Sequence, residues 1–172
     1  SRGKPSPNVV EYEDKINTLF IGREKEIGEV SRHLMEARLV TLIGPGGTGK
    51  TRLAQQAAAR VLELFPDGVW LVQLAPLADS TLLPQTVASV LGVREEPDRL
   101  ISETLTNYLR SKELLLIMDN CEHLVQACAE LARGIYLGGC PDLVENIDIV
   151  AALREPSVLL TEMIDRPDWV IE

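Results

Sequence analysis

Apolar residues along this chain change their spacing several times, and each change predicts an element. From Gly22 onward, Ile27, Val30 and Leu34 recur three and four positions apart among Glu, Lys and Arg, which predicts an amphipathic helix. Leu39-Val40-Thr41-Leu42-Ile43 then forms a short, partly β-branched apolar run that stops at Gly44. Unbroken apolarity of that length predicts a strand covered on both faces, as in parallel sheets. A glycine-rich turn follows, and Leu53, Ala54, Ala57, Ala58, Val61 and Leu62 restore helical spacing until Pro66-Asp67-Gly68. Val69–Leu74 reads as a second strand, residues 81–91 and 99–111 as helices, and Leu114–Met118 as a third strand stopped by Asp119-Asn120. A further helix is expected from about Glu122 to Arg133. Strands alternating with helices of this length predict an α/β fold: a doubly wound, mainly parallel sheet flanked by helices.

The first 19 residues, rich in Pro, Ser and charge, keep no period and read as a linker or cloning remnant. Domain organisation is therefore residues 20–140 as a folded unit, with residues 141–172 as an acidic tail. Charge sharpens this division. Residues 1–60 carry 10 basic and 7 acidic side chains, whereas residues 61–172 carry 7 and 19. A field of that sign repels phosphate backbones, so direct nucleic-acid binding is not expected of this segment. No apolar run approaches the roughly 20 residues needed to span a bilayer, which points to a soluble, cytoplasmic protein with no membrane partner. Cys121, Cys128 and Cys140 form no C-x-x-C pair, and His33 and His123 lack zinc-ligand spacing, so reduced thiols are expected.

The glycine-rich turn carries the chemistry. Residues 44–51 read Gly-Pro-Gly-Gly-Thr-Gly-Lys-Thr, a G-x-x-x-x-G-K-T motif placed between a buried strand and an Ala/Leu helix. Gly44, Gly46, Gly47 and Gly49, with Thr48 among them, permit the positive φ angles that turn successive N–H groups inward around a phosphate. The following helix starts near Lys50 and aims its positive end at the same anion. Lys50 has the reach for the β- and γ-phosphates, and the Thr51 hydroxyl is a magnesium ligand by type. Arg52 is either a further phosphate contact or a solvated helix residue. Pro45 donates no N–H, so the nest has to use the later amides.

An acidic residue closing a hydrophobic strand should complete such a site, and Asp119 after Leu114–Met118 fits a magnesium role. The next residue is Asn120, which can hydrogen-bond a water but cannot take its proton. Glu122 is then the nearest candidate base, or else a carboxylate favouring a helix start. Slow hydrolysis is the expectation.

Phe20-Ile21-Gly22-Arg23-Glu24, then GPGGTGKT, then LLLIMDNCEH, in that order, resemble the STAND class of signalling P-loop ATPases. Within it, the chain is similar to the NB-ARC-like domains of bacterial LuxR-type and other ATP-dependent transcriptional regulators, over about residues 20–142. That resemblance implies a P-loop NTPase three-layer sandwich, here incomplete, working as an ATP/ADP switch with magnesium. It also implies that Ile21, Gly22 and Arg23 lie against adenine and ribose, although Gly22-Arg23-Glu24 is as easily a capped helix start. Partners implied are the nucleotide and further domains of a parent protein, or separate proteins.

The tail departs from the family pattern, in which a strand ending in T-S-R-E-P supplies an arginine that senses the γ-phosphate. Arg154, in Ala152-Leu153-Arg154-Glu155-Pro156, is the candidate sensor after a short insertion. Alternatively, residues 141–172 are foreign to the fold, since PDLVENIDIVAALREPSVLLTEMIDRPDWV is weakly similar to uroporphyrinogen-decarboxylase-like proteins. Three functions follow from the residues: a switch with slow hydrolysis, an inert module holding ADP or ATP as a structural ligand, and a small-molecule kinase. The kinase would need a basic lid that the acidic second half does not supply.

Overall fold

The computed structural model describes residues 22–137, 157–163 and 170–171. Its elements in chain order are α1 (Glu24–Glu36), β1 (Leu39–Gly44), α2 (Lys50–Arg60), β2 (Val69–Gln73), α3 (Leu83–Leu91), α4 (Ile101–Leu109), β3 (Leu115–Asp119), α5 (Val125–Leu137), β4 (Ser157–Met163) and β5 (Val170–Ile171). Short 3-10 turns at Leu62–Leu64 and Ser80–Leu82 join them. Every strand and helix expected up to residue 137 is present, with ends shifted by a few positions. The helix expected at 81–91 starts as the Ser80–Leu82 turn, where the Asp79 side chain accepts from Thr81 N–H, and becomes α-helical with Pro84 in its first turn. The helix expected from Glu122 begins instead at Val125. Leu124 N–H is drawn to Cys121 O and Cys128 N–H is the first to reach back four residues, to Leu124 O. Glu122 therefore sits in a turn, and its reading as a helix-start carboxylate is corrected.

The five strands lie in the order β2-β3-β4-β1-β5, parallel except for the short β5, which runs antiparallel to β1 at the edge. β4 lies between the strand that enters the glycine-rich turn and the strand that ends at Asp119. Its register runs from Leu39 beside Val158 to Gly44 beside Met163. Arg154, the candidate sensor, lies outside the described residues, and β4 begins three positions after it. Val158-Leu159-Leu160 is the apolar stretch of this strand, paired with Leu116-Ile117-Met118 of β3.

Side chains of β3 alternate between two cores, as the two-residue period of a strand requires. Leu115 and Ile117 join Ile27, Val30 and Leu34 of α1 and Leu53, Ala54, Ala57 and Ala58 of α2 on one face. Leu116 and Met118 join Leu83, Val87 and Leu91 of α3, Leu105 and Leu109 of α4, and Cys128, Leu131 and Ile135 of α5 on the other. The sheet is thus covered on both faces, which explains why its strands read as unbroken apolar runs. Among the described residues, no helix is long and apolar enough to cross a membrane.

Candidate functional site

The glycine-rich turn and Asp119 meet at one edge of the sheet because β1 and β3 are parallel and both end there. The turn is shaped by its glycines. Gly47 has φ +77° and Gly49 φ +82°, conformations that a side chain disfavours. A Cβ built on Gly47 would have no atom within 4 Å, so the space above the turn is open to a ligand. Gly49 caps α2 in the left-handed conformation, no side chain caps it, and the first turn holds no acidic residue. The first N–H groups of α2 and its positive end therefore face outward at the turn, the arrangement that takes an anion.

Side chains hold the turn from within and behind. Thr48 Oγ1 donates to Pro45 O at 2.9 Å. Lys50 Nζ donates to Gly44 O at 2.8 Å and to Pro45 O at 2.9 Å, folding the ammonium over the turn. Arg23, just before α1, donates from Nη1 to Thr48 O at 2.8 Å across 25 positions. The guanidinium of Arg23 thus touches the turn itself. No feature of the sequence announces this bond, because the acceptor is a main-chain carbonyl that any residue would offer. Gly22, exposed with φ +99°, precedes it. Arg52 is exposed on α2, and Ile21 and Arg154 lie outside the described residues.

Thr51 Oγ1 donates to Asp119 Oδ1 at 2.7 Å, joining residues 68 positions apart. Asp119 is only 7% exposed, at the end of a strand buried along its whole length. A hydroxyl and a carboxylate at this spacing are hard oxygen donors of the kind magnesium takes, and the open, uncapped turn beside them fits a phosphate. Asn120 follows with φ +58°, a left-handed conformation that Asn tolerates better than most residues, and the chain turns sharply away from the strand. Glu122 is half-buried in the turn beyond. Lys50, Thr51 and Asp119 are therefore brought to one place, and Glu122 lies on the turn that leaves it.

Two examples illustrate the solved structures that share this fold. One is the Aeropyrum pernix ORC2 protein, solved as ADPNP-ADP complexes, at TM-score 0.58 and 17% identity, covering 86% of this chain and 42% of that one. The other is Cdc6p from Pyrobaculum aerophilum, at TM-score 0.60 and 15% identity, covering 87% and 41%. Architecture and turn together define a STAND-class P-loop NTPase. The match to the family described as Novel STAND NTPase 1 runs over residues 5–162, and the chain belongs to that family. A candidate HTH-type transcriptional regulator of Mycobacterium tuberculosis is 43% identical over 123 residues, 72% of this chain. The chain spans 13% of that relative's length.

Proposed function

We propose that this chain is a magnesium-dependent ATP/ADP-binding switch module with slow hydrolysis, working in the cytoplasm as part of a larger signalling or transcription-regulating protein. The observation that carries the reading is the 2.7 Å contact between Thr51 of the phosphate turn and Asp119 of the neighbouring strand end. A second support is the fold shared with a protein solved with ADPNP and ADP. Gly44, Gly46, Gly47, Thr48 and Gly49 would wrap the β-phosphate with main-chain N–H groups. Lys50 would exchange its two carbonyl acceptors for β- and γ-phosphate oxygens, a charge-assisted bond in place of neutral ones. Thr51 and Asp119 would hold magnesium, which when bound neutralises charge on the phosphates. Ile21, Gly22 and Arg23 are proposed to face the base and ribose. Arg23 would at the same time keep the peptide after Thr48 oriented toward the ligand, and Arg52 would lie at the margin. Glu122 is the proposed group near the attacking water.

Arg154, which lies outside the described residues, is the proposed γ-phosphate sensor.

Titration with Mg·ATP tests the proposal. Wild type is expected to bind in the micromolar range and Lys50→Ala to lose at least ten-fold; equal affinity would refute it. The second reading, a module that holds its nucleotide unhydrolysed, is favoured by Asn120 standing where a carboxylate would activate water. Phosphate release in a single turnover separates the two: release that disappears in Asp119→Ala excludes the inert module.

A further inference from the structure

The apolar run Val69-Trp70-Leu71-Val72-Gln73-Leu74 contains one amide, and the register gives that amide a charged neighbour. Gln73 pairs with Asp119 in the parallel ladder of β2 and β3, and each residue closes its strand. Their side chains share a face of the sheet. Val69 and Leu71 of β2 and Leu115 and Ile117 of β3 enter the core under α2, and the two-residue period brings Gln73 and Asp119 to that same side. It is the side on which Thr51 of α2 donates to Asp119 Oδ1. The two strand exits are also fastened together. Leu74 N–H donates to Asp119 O at 2.9 Å, and His123 Nε2 lies 2.7 Å from Leu77 O further out. Gln73 is exposed, and its amide makes no hydrogen bond among the described residues.

From this juxtaposition we propose that Gln73 is a positioning residue for magnesium, its amide oxygen accepting a hydrogen bond from a water of the ion's shell beside Asp119. The proposal rests on the magnesium reading of Thr51 and Asp119 above. Magnesium gives up water reluctantly and is held by few protein oxygens, so several of its waters stay in place and donate to whatever oxygens surround them. Val72, Leu74 and Met118, the residues next to this pair along the two strands, turn into the opposite core and offer none. Gln73 does offer one. Neighbouring strands lie about 4.8 Å apart, a gap that an amide and one water together span. An amide also suits the place because it accepts without adding a second negative charge beside Asp119. Groups that hold the outer side of a metal's ligands in this way change metal affinity without touching the metal.

The test uses the full chain and titrates ADP in the presence of either EDTA or magnesium. Gln73→Leu keeps the size of the side chain and removes the acceptor, whereas Gln73→Glu keeps an acceptor and adds charge. With EDTA, Gln73→Leu is expected to bind ADP within about two-fold of wild type. With magnesium it should bind about five-fold more weakly, the size of one hydrogen bond. Gln73→Glu should bind Mg·ADP at least as tightly as wild type, because a carboxylate takes the same water more strongly. Equal weakening of Gln73→Leu with and without magnesium would show that Gln73 acts on the fold or on the nucleotide itself, and would overturn the proposal. Unchanged affinity in both conditions would overturn it equally, as would a Gln73→Glu variant as weak as Gln73→Leu. A wild type whose ADP affinity ignores magnesium would refute the magnesium reading itself, and is seen before any variant is made.

Discussion

On one face of the sheet, α2 turns Ala54, Ala57 and Ala58 toward the strands, whereas on the other α3, α4 and α5 present Leu83, Leu91, Leu105, Leu109 and Leu131. The alanines belong to the helix whose first turn carries Lys50 and Thr51. Small side chains let a helix backbone lie close to a sheet, where there is little slack for it to shift. The leucine face has no proposed contact with the ligand. It is packed for burial, and Thr104 Oγ1 of α4 is enclosed without a hydrogen-bond partner among the described residues. The difference suggests that one face sets the height of the phosphate turn and the other supplies most of the cohesion.

The largest effect that would sharpen this contrast is expected on the leucine face. Leu116→Ala, at a site 1% exposed, should cost about 3 kcal/mol by lost burial and a cavity. Denaturant unfolding measures that loss, and nucleotide affinity of the folded fraction should not change. Ala57→Leu overfills the alanine face and should cost less, about 1–3 kcal/mol. Here, however, affinity for Mg·ADP is expected to fall as well, because displacement of α2 moves Lys50 and Thr51. If Leu116→Ala weakened the nucleotide as much as Ala57→Leu, the division between the faces would be broken. Thr104→Val replaces an unsatisfied buried hydroxyl by a methyl of similar shape and should stabilise by about 1 kcal/mol in the same assay.

The smallest effect lies at Asp79, which caps the turn before α3. A side-chain bond and then a main-chain bond from Thr81 hold its carboxyl below the ordinary 3.8. A carboxyl depressed in the folded state adds stability that is present above the unfolded value and disappears as pH falls through the folded one. Asp79→Asn should therefore be slightly less stable than wild type at pH 7, with the two urea midpoints converging as pH falls below the ordinary carboxyl value. The residue is fully exposed, so the gap stays small.

Legibility from sequence followed the range of each interaction. Leu39–Ile43, Val69–Leu74 and Leu114–Met118 stood out because strands covered on both faces need continuous apolar runs, and Gly44, Pro66-Asp67-Gly68 and Asp119-Asn120 bound them. The Thr51–Asp119 pairing was legible too, since motif spacing and a strand-ending carboxylate imply each other. The tail was not. Ile147–Val150 and Val158–Leu160 are both short, apolar and surrounded by acidic residues. What makes the second run a strand is pairing with β1 and β3, each far away in the chain. Arg23 on Thr48 O and His123 on Leu77 O escaped for another reason: a side chain that bonds a main-chain carbonyl leaves no complementary residue type to look for.

The place of β4 also has a consequence for the order of assembly. During synthesis, β1 and β3 emerge long before the strand that hydrogen-bonds to both of them. Until residue 163 has been made, each presents an unpaired inner edge, and the sheet consists of two unjoined pieces. Thr51 and Asp119 stand on opposite sides of that seam. Their meeting is a late event with a large loop-closure cost, so nucleotide-binding competence should lag behind the appearance of helical structure when the chain folds.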